Sequence, residues 1–194
     1  NVNEATLTVN YGKNNLAGKN LFNEVTRSVN INYVHRDSDF VDFNIQRLLP
    51  HKLSEYGPAL AAADIDGNGL DDIVSGGSFF FQAQFFLQQA DGKFLKKELL
   101  NDAVPGKTKS SEDLGVLLFD ADNDSDQDLY IASGGYEASP GTAAYRDRFY
   151  LNDGKGNFSI DSAAIPVNLV SKSCVRAADY DKDGDLDIFI AGRV

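Results

Sequence analysis

Short apolar runs of strand length, each bounded by Gly, Asp or Asn, recur along the chain from residue 59 onward. None holds a 3.6-residue period for more than two turns, so no substantial helix is predicted. The first run, Ala59 to Ala63, is built of small residues and enters an acidic turn. Ile73 to Ser75 follows, then the aromatic run Gln84 to Gln88 and the segment Lys93 to Leu99. Asp91-Gly92 supplies a tight hairpin between the last two. The same order repeats from Gly115 to about Val170, with Asp153-Gly154 and Gly156-Asn157 in the equivalent hairpin. From residue 173 the order begins a third time, and two strands precede Val194. β-Branched and aromatic residues enrich these runs, as in strands. The pattern predicts an all-β chain of repeated four-stranded antiparallel units. Residues 1–55 do not share this order, although Glu4 to Val9 and Phe40 to Ile45 (FVDFNI) alternate enough to be strands.

Between the first and second strand of each unit lies a nine-residue acidic loop with the pattern Asp-x-Asp-x-Asp/Asn-x-x-x-Asp. The three loops are DIDGNGLDD (Asp64 to Asp72), DADNDSDQD (Asp120 to Asp128) and DYDKDGDLD (Asp179 to Asp187). Their first aspartates stand 56 and then 59 residues apart. Asp, Asn and Gly are ordinary turn residues, so one such loop reads as a solvated turn. Three in register read as sites, because carboxylates this dense repel one another unless a cation sits among them. A hard divalent cation with oxygen ligands answers that need, and Ca²⁺, taking six to eight oxygens, suits it best, giving about three ions for the chain.

The spacing assigns the ligands. Positions 1, 3 and 5 offer side-chain oxygens: Asp64, Asp66 and Asn68, then Asp120, Asp122 and Asp124, then Asp179, Asp181 and Asp183. Position 7 offers a backbone carbonyl from Leu70, Asp126 or Asp185, and position 9 closes the cage with Asp72, Asp128 or Asp187. At position 6, Gly69 and Gly184 accept the positive φ that folds the chain back around an ion. The middle loop carries Ser125 there, which makes it the weakest of the three. An EF-hand opens on the same residues but needs a Glu at position 12 and a following helix. Position 12 is Ser75, Ile131 and Ile190, and each loop runs into strand-like sequence, so an EF-hand is excluded.

With these loops, their period and the small-residue strands that flank them, the chain resembles the FG-GAP/VCBS repeats of integrin-α-type β-propellers. The matching features are YGPALAAAD, DLGVLLFD and CVRAAD before the loops, the pairs Gly76-Gly77 and Gly134-Gly135, and the turn YLNDGKGNF (Tyr150 to Phe158). The resemblance covers roughly residues 55–194. It implies a partial propeller of four-stranded blades, with Ca²⁺ loops joining the first and second strands. On that basis 56–113 and 114–172 are blades, 173–194 is the first half of a further blade, and 21–55 is a lead-in or partial blade. The segment ATLTVNY, within 1–20, resembles the end of an ASPIC/UnbV module. Closing a ring takes about four to eight blades, hence roughly 240 residues or more. The Met-free chain is therefore expected to be part of a larger propeller, with open edges meeting the rest of it or another polypeptide.

Charge supports a metal reading independently. Fourteen of the 29 acidic residues are loop aspartates, and the remaining acids are outnumbered by 18 Lys and Arg, so the net charge of −11 is a property of the loops. No basic stripe is available for nucleic acid. No apolar stretch reaches the length of a membrane span, and no signal peptide opens the chain. Calcium sites of extracellular modules work at about 10⁻⁴–10⁻³ M, which suits a secreted or cell-surface protein.

No Ser/His/Asp or Cys/His constellation, phosphate loop or HExxH motif is present, so a non-enzymatic role in adhesion or protein–protein interaction is expected. The lone Cys174 lies at a small-residue position, as a packed thiol would. The connection Tyr136 to Arg148 contains Pro and Gly and offers Tyr136, Tyr145, Arg146 and Arg148 as candidate partner contacts. A carbohydrate-recognition or accessory domain of an extracellular glycan-handling system or enzyme is the alternative; the aromatic run SFFFQAQFFLQQ reads first as the packed faces of strands between blades and second as a sugar- or peptide-binding platform.

Overall fold

The computed structural model describes residues 23–99 and 109–192. The strand expected over Glu4 to Val9 and the module end expected within 1–20 lie outside these residues. The described chain is all-β, with three antiparallel sheets and no α-helix. Strands β1 (Leu60–Ala63), β2 (Asp72–Ser75), β3 (Gln84–Gln88) and β4 (Phe94–Glu98) form the first sheet in chain order. Strands β5 (Glu112–Phe119), β6 (Asp128–Gly134), β7 (Arg148–Leu151) and β8 (Ser159–Ile160) form the second. Strands β9 (Lys172–Ala178) and β10 (Asp187–Gly192) pair as the third. Each acidic loop joins the first and second strand of its sheet. The β3–β4 hairpin closes with Gln89 N–H donating to Lys93 O (2.8 Å) and Gly92 at φ 77°.

Phe40 to Ile45 is not a strand. Asp42–Asn44 makes a 3-10 turn instead, because the buried Asp42 carboxylate is claimed by another part of the chain. Its Oδ2 accepts from Leu53 N (2.6 Å), Ser54 N (3.1 Å) and Ser54 Oγ (3.1 Å), which bends the chain around it. The lead-in segment lies along the first sheet. Phe94 N donates to Val29 O (2.9 Å), and the Tyr33 ring meets Phe86 edge-on at 5.6 Å.

The second sheet is the middle layer, and the period-2 alternation of β6 explains how. Leu129 and Ile131 face the first sheet and join Val74, Phe85 and Leu87, with Phe158 stacked on Phe85 at 5.2 Å. Tyr130 and Ala132 face the other way, toward Val175 and the half-buried Ile188 and Ile190 of the third sheet. Every residue of β6 is buried. The first strands of the sheets pack side by side, β1 against β5 and β5 against β9. At Gly115 this leaves no room for a side chain, since a Cβ would stand 3.0 Å from Ala132 Cβ and 3.1 Å from Val175 N.

The sheets are tied together by a buried carboxylate that the expected strand start at Gly115 left out. Strand β5 begins at Glu112, and Asp113 reaches back to the end of the first sheet. Its Oδ2 accepts from Gly77 N (2.8 Å), its own N–H donates to Gly77 O (2.9 Å), and its Oδ1 pairs with Lys109 Nζ (2.9 Å) and with Arg148. A Cβ on Gly76 would come within 2.9 Å of Asp113, so the Gly76-Gly77 pair is what admits this approach. Burial alone would push the Asp113 carboxyl up, but Arg148 and Lys109 hold it below its ordinary value.

Removing Asp113 takes the anionic partner from the buried Lys109 and the partly buried Arg148, and Asp113→Ala is expected to cost about 3–5 kcal/mol in urea unfolding. Because the folded carboxyl titrates below the unfolded one, its stabilisation is full above the unfolded value and disappears as pH falls through the folded value. Asp113→Asn should therefore show a shallower loss of stability in acid than the parent. Parallel acid profiles for the two proteins would contradict this assignment.

Candidate metal sites

In each acidic loop the backbone alternates into the left-handed region at positions 4 and 6. The residues are Gly67 (φ 74°) and Gly69 (84°), then Asn123 (63°) and Ser125 (76°), then Lys182 (64°) and Gly184 (100°). Position 4 was not anticipated, although Gly and Asn there in two loops are the residues such a backbone favours. Ser125 does not change the shape of the middle loop, but it holds a conformation that a side chain disfavours.

This winding turns the carboxylates inward. Oxygens of Asp64, Asp66 and Asp72 lie within 4.8 Å of one another, as do those of Asp120, Asp122 and Asp128, and those of Asp179, Asp181 and Asp187. Positions 1, 3 and 9 are thus brought together in all three loops. Position 1 also accepts the N–H of position 6: Gly69 N to Asp64 (2.7 Å), Ser125 N to Asp120 (3.0 Å) and Gly184 N to Asp179 (3.3 Å). Position 5 makes an Asx turn with position 7: Leu70 N to Asn68 (2.8 Å), Asp126 N to Asp124 (3.0 Å) and Asp185 N to Asp183 (3.0 Å). Asn68 additionally donates its Nδ2 to Gln88 O (2.9 Å).

Position 9 has a second duty. Asp72 Oδ2 accepts from Ile65 N (3.0 Å) and its Oδ1 from Gln88 N (2.6 Å); Asp128 does the same with Ala121 N (3.0 Å) and Asn152 N (2.9 Å). Each of these buried carboxylates bolts the loop entrance to the end of the third strand. Asp187 accepts only from Tyr180 N (2.9 Å) and is exposed, because no third strand flanks β10 among the described residues. The first loop also leans on the neighbouring sheet: Asn152 Nδ2 donates to Ile65 O (2.9 Å), a brace that no sequence spacing signals.

The electrostatics are those of carboxylates crowded without a counter-charge. Burial raises Asp72 and Asp128, and neighbouring loop aspartates add to it. Asp126, read from spacing as a carbonyl donor, also turns its side chain in. Desolvation and then Asp124, Asp128, Asp122 and Asp120 push it up to about 6, and its buried Oδ1 has no hydrogen-bond partner. All-oxygen donor sets of this density fit a hard divalent cation and offer nothing to a soft one.

The four candidate partner contacts do not share one surface. Tyr145 is buried in a 3-10 turn and donates its hydroxyl to Ala138 O (2.7 Å). Arg148 is held inside by Asp113. Both are turned inward, where they satisfy groups of their own chain. Tyr136 is half-buried, and Arg146 is exposed with its Nη2 on Ser162 O (2.9 Å). Asp147 pairs with neither Arg but with Lys172 Nζ (3.2 Å) and the Tyr130 hydroxyl (2.9 Å).

Residues 120–190 match the family model of the FG-GAP-like repeat, a span from the start of the second acidic loop into β10. No curated protein matches the chain.

Two kinds of loop aspartate are separable by mutation. Without calcium, Asp72→Ala is expected to lose about 3 kcal/mol, since the buried N–H of Ile65 and the half-buried N–H of Gln88 lose their acceptor. Asp66→Ala, whose carboxylate accepts only from Asn68 N (3.3 Å), should lose much less. Ser125→Gly should gain about 1 kcal/mol by relieving the left-handed backbone. Urea unfolding in chelator checks all three, and equal losses for Asp72→Ala and Asp66→Ala would refute the division.

Proposed function

From this FG-GAP repeat protein's three acidic loops, we propose a calcium-stabilised segment of a β-propeller, non-enzymatic, secreted or displayed on a cell surface, and used for adhesion or protein–protein contact. The observation that carries the reading is the convergence of positions 1, 3 and 9 in every loop. Each cage is completed by the position 5 side chain and the position 7 carbonyl, and Ca²⁺ there neutralises carboxylates that otherwise oppose folding. A cage filled by protein oxygens suits a structural ion rather than a reaction centre. No helix among the described residues is long and apolar enough to cross a membrane.

The propeller reading gives the third sheet a neighbour. Phe189 (68% exposed) and Tyr180 (87%) stand beside Ile188 around an open apolar hollow on β9 and β10. A further β-sheet, from the same propeller or another polypeptide, is the proposed occupant.

A second reading, glycan recognition, rests on a different place. An open groove of about 490 Å³ is lined by Tyr33, Phe80, Phe81, Gln82, Lys96 and Glu98. Phe80 and Phe81 are exposed there, and Phe80 holds a left-handed backbone (φ 77°), a strain of the kind that collects at binding sites. Aromatic faces ringed by amide and charged groups suit a sugar.

Calcium binding to the folded state only, at a hundredfold excess over Kd, would add roughly 2.7 kcal/mol per site. Millimolar Ca²⁺ is expected to raise the melting temperature, and Asp181→Ala to diminish the rise, with Asp122→Ala showing the smallest change. Elemental analysis finding no calcium on the chain at millimolar Ca²⁺ would remove the metal reading. Binding on a glycan array that disappears in Phe80→Ala would favour the second reading over the first.

A further inference from the structure

Among the described residues away from the acidic loops, one buried carboxylate stands without a donor to either oxygen. Glu112, at the start of β5, is 2% exposed, and neither of its side-chain oxygens has a hydrogen-bond partner. Burying a carboxylate in this way is costly unless a cation or a donor compensates it. The groups that converge on it are more carboxylates. Asp37, from the segment before the first sheet, and Glu137, from the connection after β6, each place an oxygen within 4.8 Å of the other and of Glu112. Glu137 Oε2 accepts from Tyr136 N (2.8 Å), while its Oε1 is buried with no partner. Gly135, at φ 87°, makes the space: a Cβ there would overlap the carboxylates of both Glu112 and Glu137. The ammonium of nearby Lys109 is engaged by Asp113 Oδ1 (2.9 Å) and by the carbonyls of Gly77 (3.0 Å), Ser78 (3.1 Å) and Phe81 (3.1 Å).

We propose that Asp37, Glu112 and Glu137 form a further divalent-cation site, of the oxygen-only kind that takes Ca²⁺. Three carboxylates offer up to six oxygens, within the range Ca²⁺ accepts. Residual negative charge faces the cationic side of Lys109. The site lies at the opposite end of β5 from Asp120, roughly 27 Å away at the rise of an extended strand. It clamps three separate stretches of chain, the lead-in segment, the start of β5 and the exit of β6, as a loop site within one turn does not. A proton is the competing occupant: without a cation, burial and then a hydrogen bond that a shared proton would make with the Glu137 carboxylate push Glu112 up to about 10.

Equilibrium dialysis of the whole chain against Ca²⁺ alone, at pH 7.5, counts bound ions and separates the two occupants. The double variant Glu112→Gln/Glu137→Gln is compared with the parent, and again in a background carrying Asp66→Ala, Asp122→Ala and Asp181→Ala. The expected result is one fewer ion in both comparisons. Equal counts in both would overturn the site and leave a carboxyl pair sharing a proton. The loop reading fails separately, if the triple background binds as many ions as the parent. Should the double variant not fold, Asp37→Asn at the half-buried rim replaces it. Its expected effect is a roughly tenfold weaker affinity for one ion, and an unchanged binding curve would equally overturn the proposal.

Discussion

The position-9 carboxylate of each complete sheet holds the rest in place. A nine-residue excursion between two paired strands leaves backbone donors at its mouth that the ladder cannot use, and buried donors demand acceptors. Asp72 and Asp128 meet that demand with both oxygens, one on the loop entrance and one at the end of the third strand. A neutral amide has one acceptor atom and cannot serve both places. The arrangement therefore needs a carboxylate, and the carboxylate must be buried, where its charge is disfavoured. Positions 1 and 3 then deliver two more carboxylates beside it. The loop thus gathers charge as a consequence of how it is tied, and a cation bound there would resolve a conflict that the tie itself creates.

Charge is handled differently between the sheets. Asp113 and Asp147 are as buried as the loop closers, yet each meets cations and donors of the chain itself: Lys109 and Arg148 for the first, Lys172, Tyr130 and Ser133 for the second. Asp42 is satisfied by backbone and hydroxyl donors. These carboxylates fix how one sheet meets the next, a task that apolar packing does not perform because it is non-directional. Glycine makes their reach short enough, as at Gly76, where a side chain would collide with Asp113. Glu112 has neither arrangement, and so stands apart from the other buried acids.

The apolar contribution follows from the middle sheet being covered on both faces. With Leu129 and Ile131 on one side and Tyr130 and Ala132 on the other, β6 reads as a nearly continuous apolar run. Strand β10 has a similar composition, but the described residues cover only one of its faces, and Phe189 is 68% exposed. Similar local sequence thus ends in different burial according to what lies beside it.

Local signals in the chain specify the elements and the loops. Strand positions in the first sheet agree to within a residue or two, since alternation, β-branching and the Asp91-Gly92 turn are local signals. Positions 1, 3 and 9 of the loops were legible for the same reason: their geometry is set inside nine residues. Tertiary structure decided everything that depends on a distant partner. The start of β5 at Glu112 was hidden because two acidic residues look like loop until Lys109, Arg148 and Gly77 surround Asp113. Phe40 to Ile45 alternates like a strand, yet donors at Leu53 and Ser54 bend it into a turn. Tyr145 and Arg148 have the side chains of a binding surface but are drawn inward by Ala138 and Asp113. Asp37, Glu112 and Glu137 are separated by 75 and 25 residues, so only the folded chain gathers them. Local backbone chemistry is written in neighbouring residues, whereas the partner of a buried charge is chosen by packing.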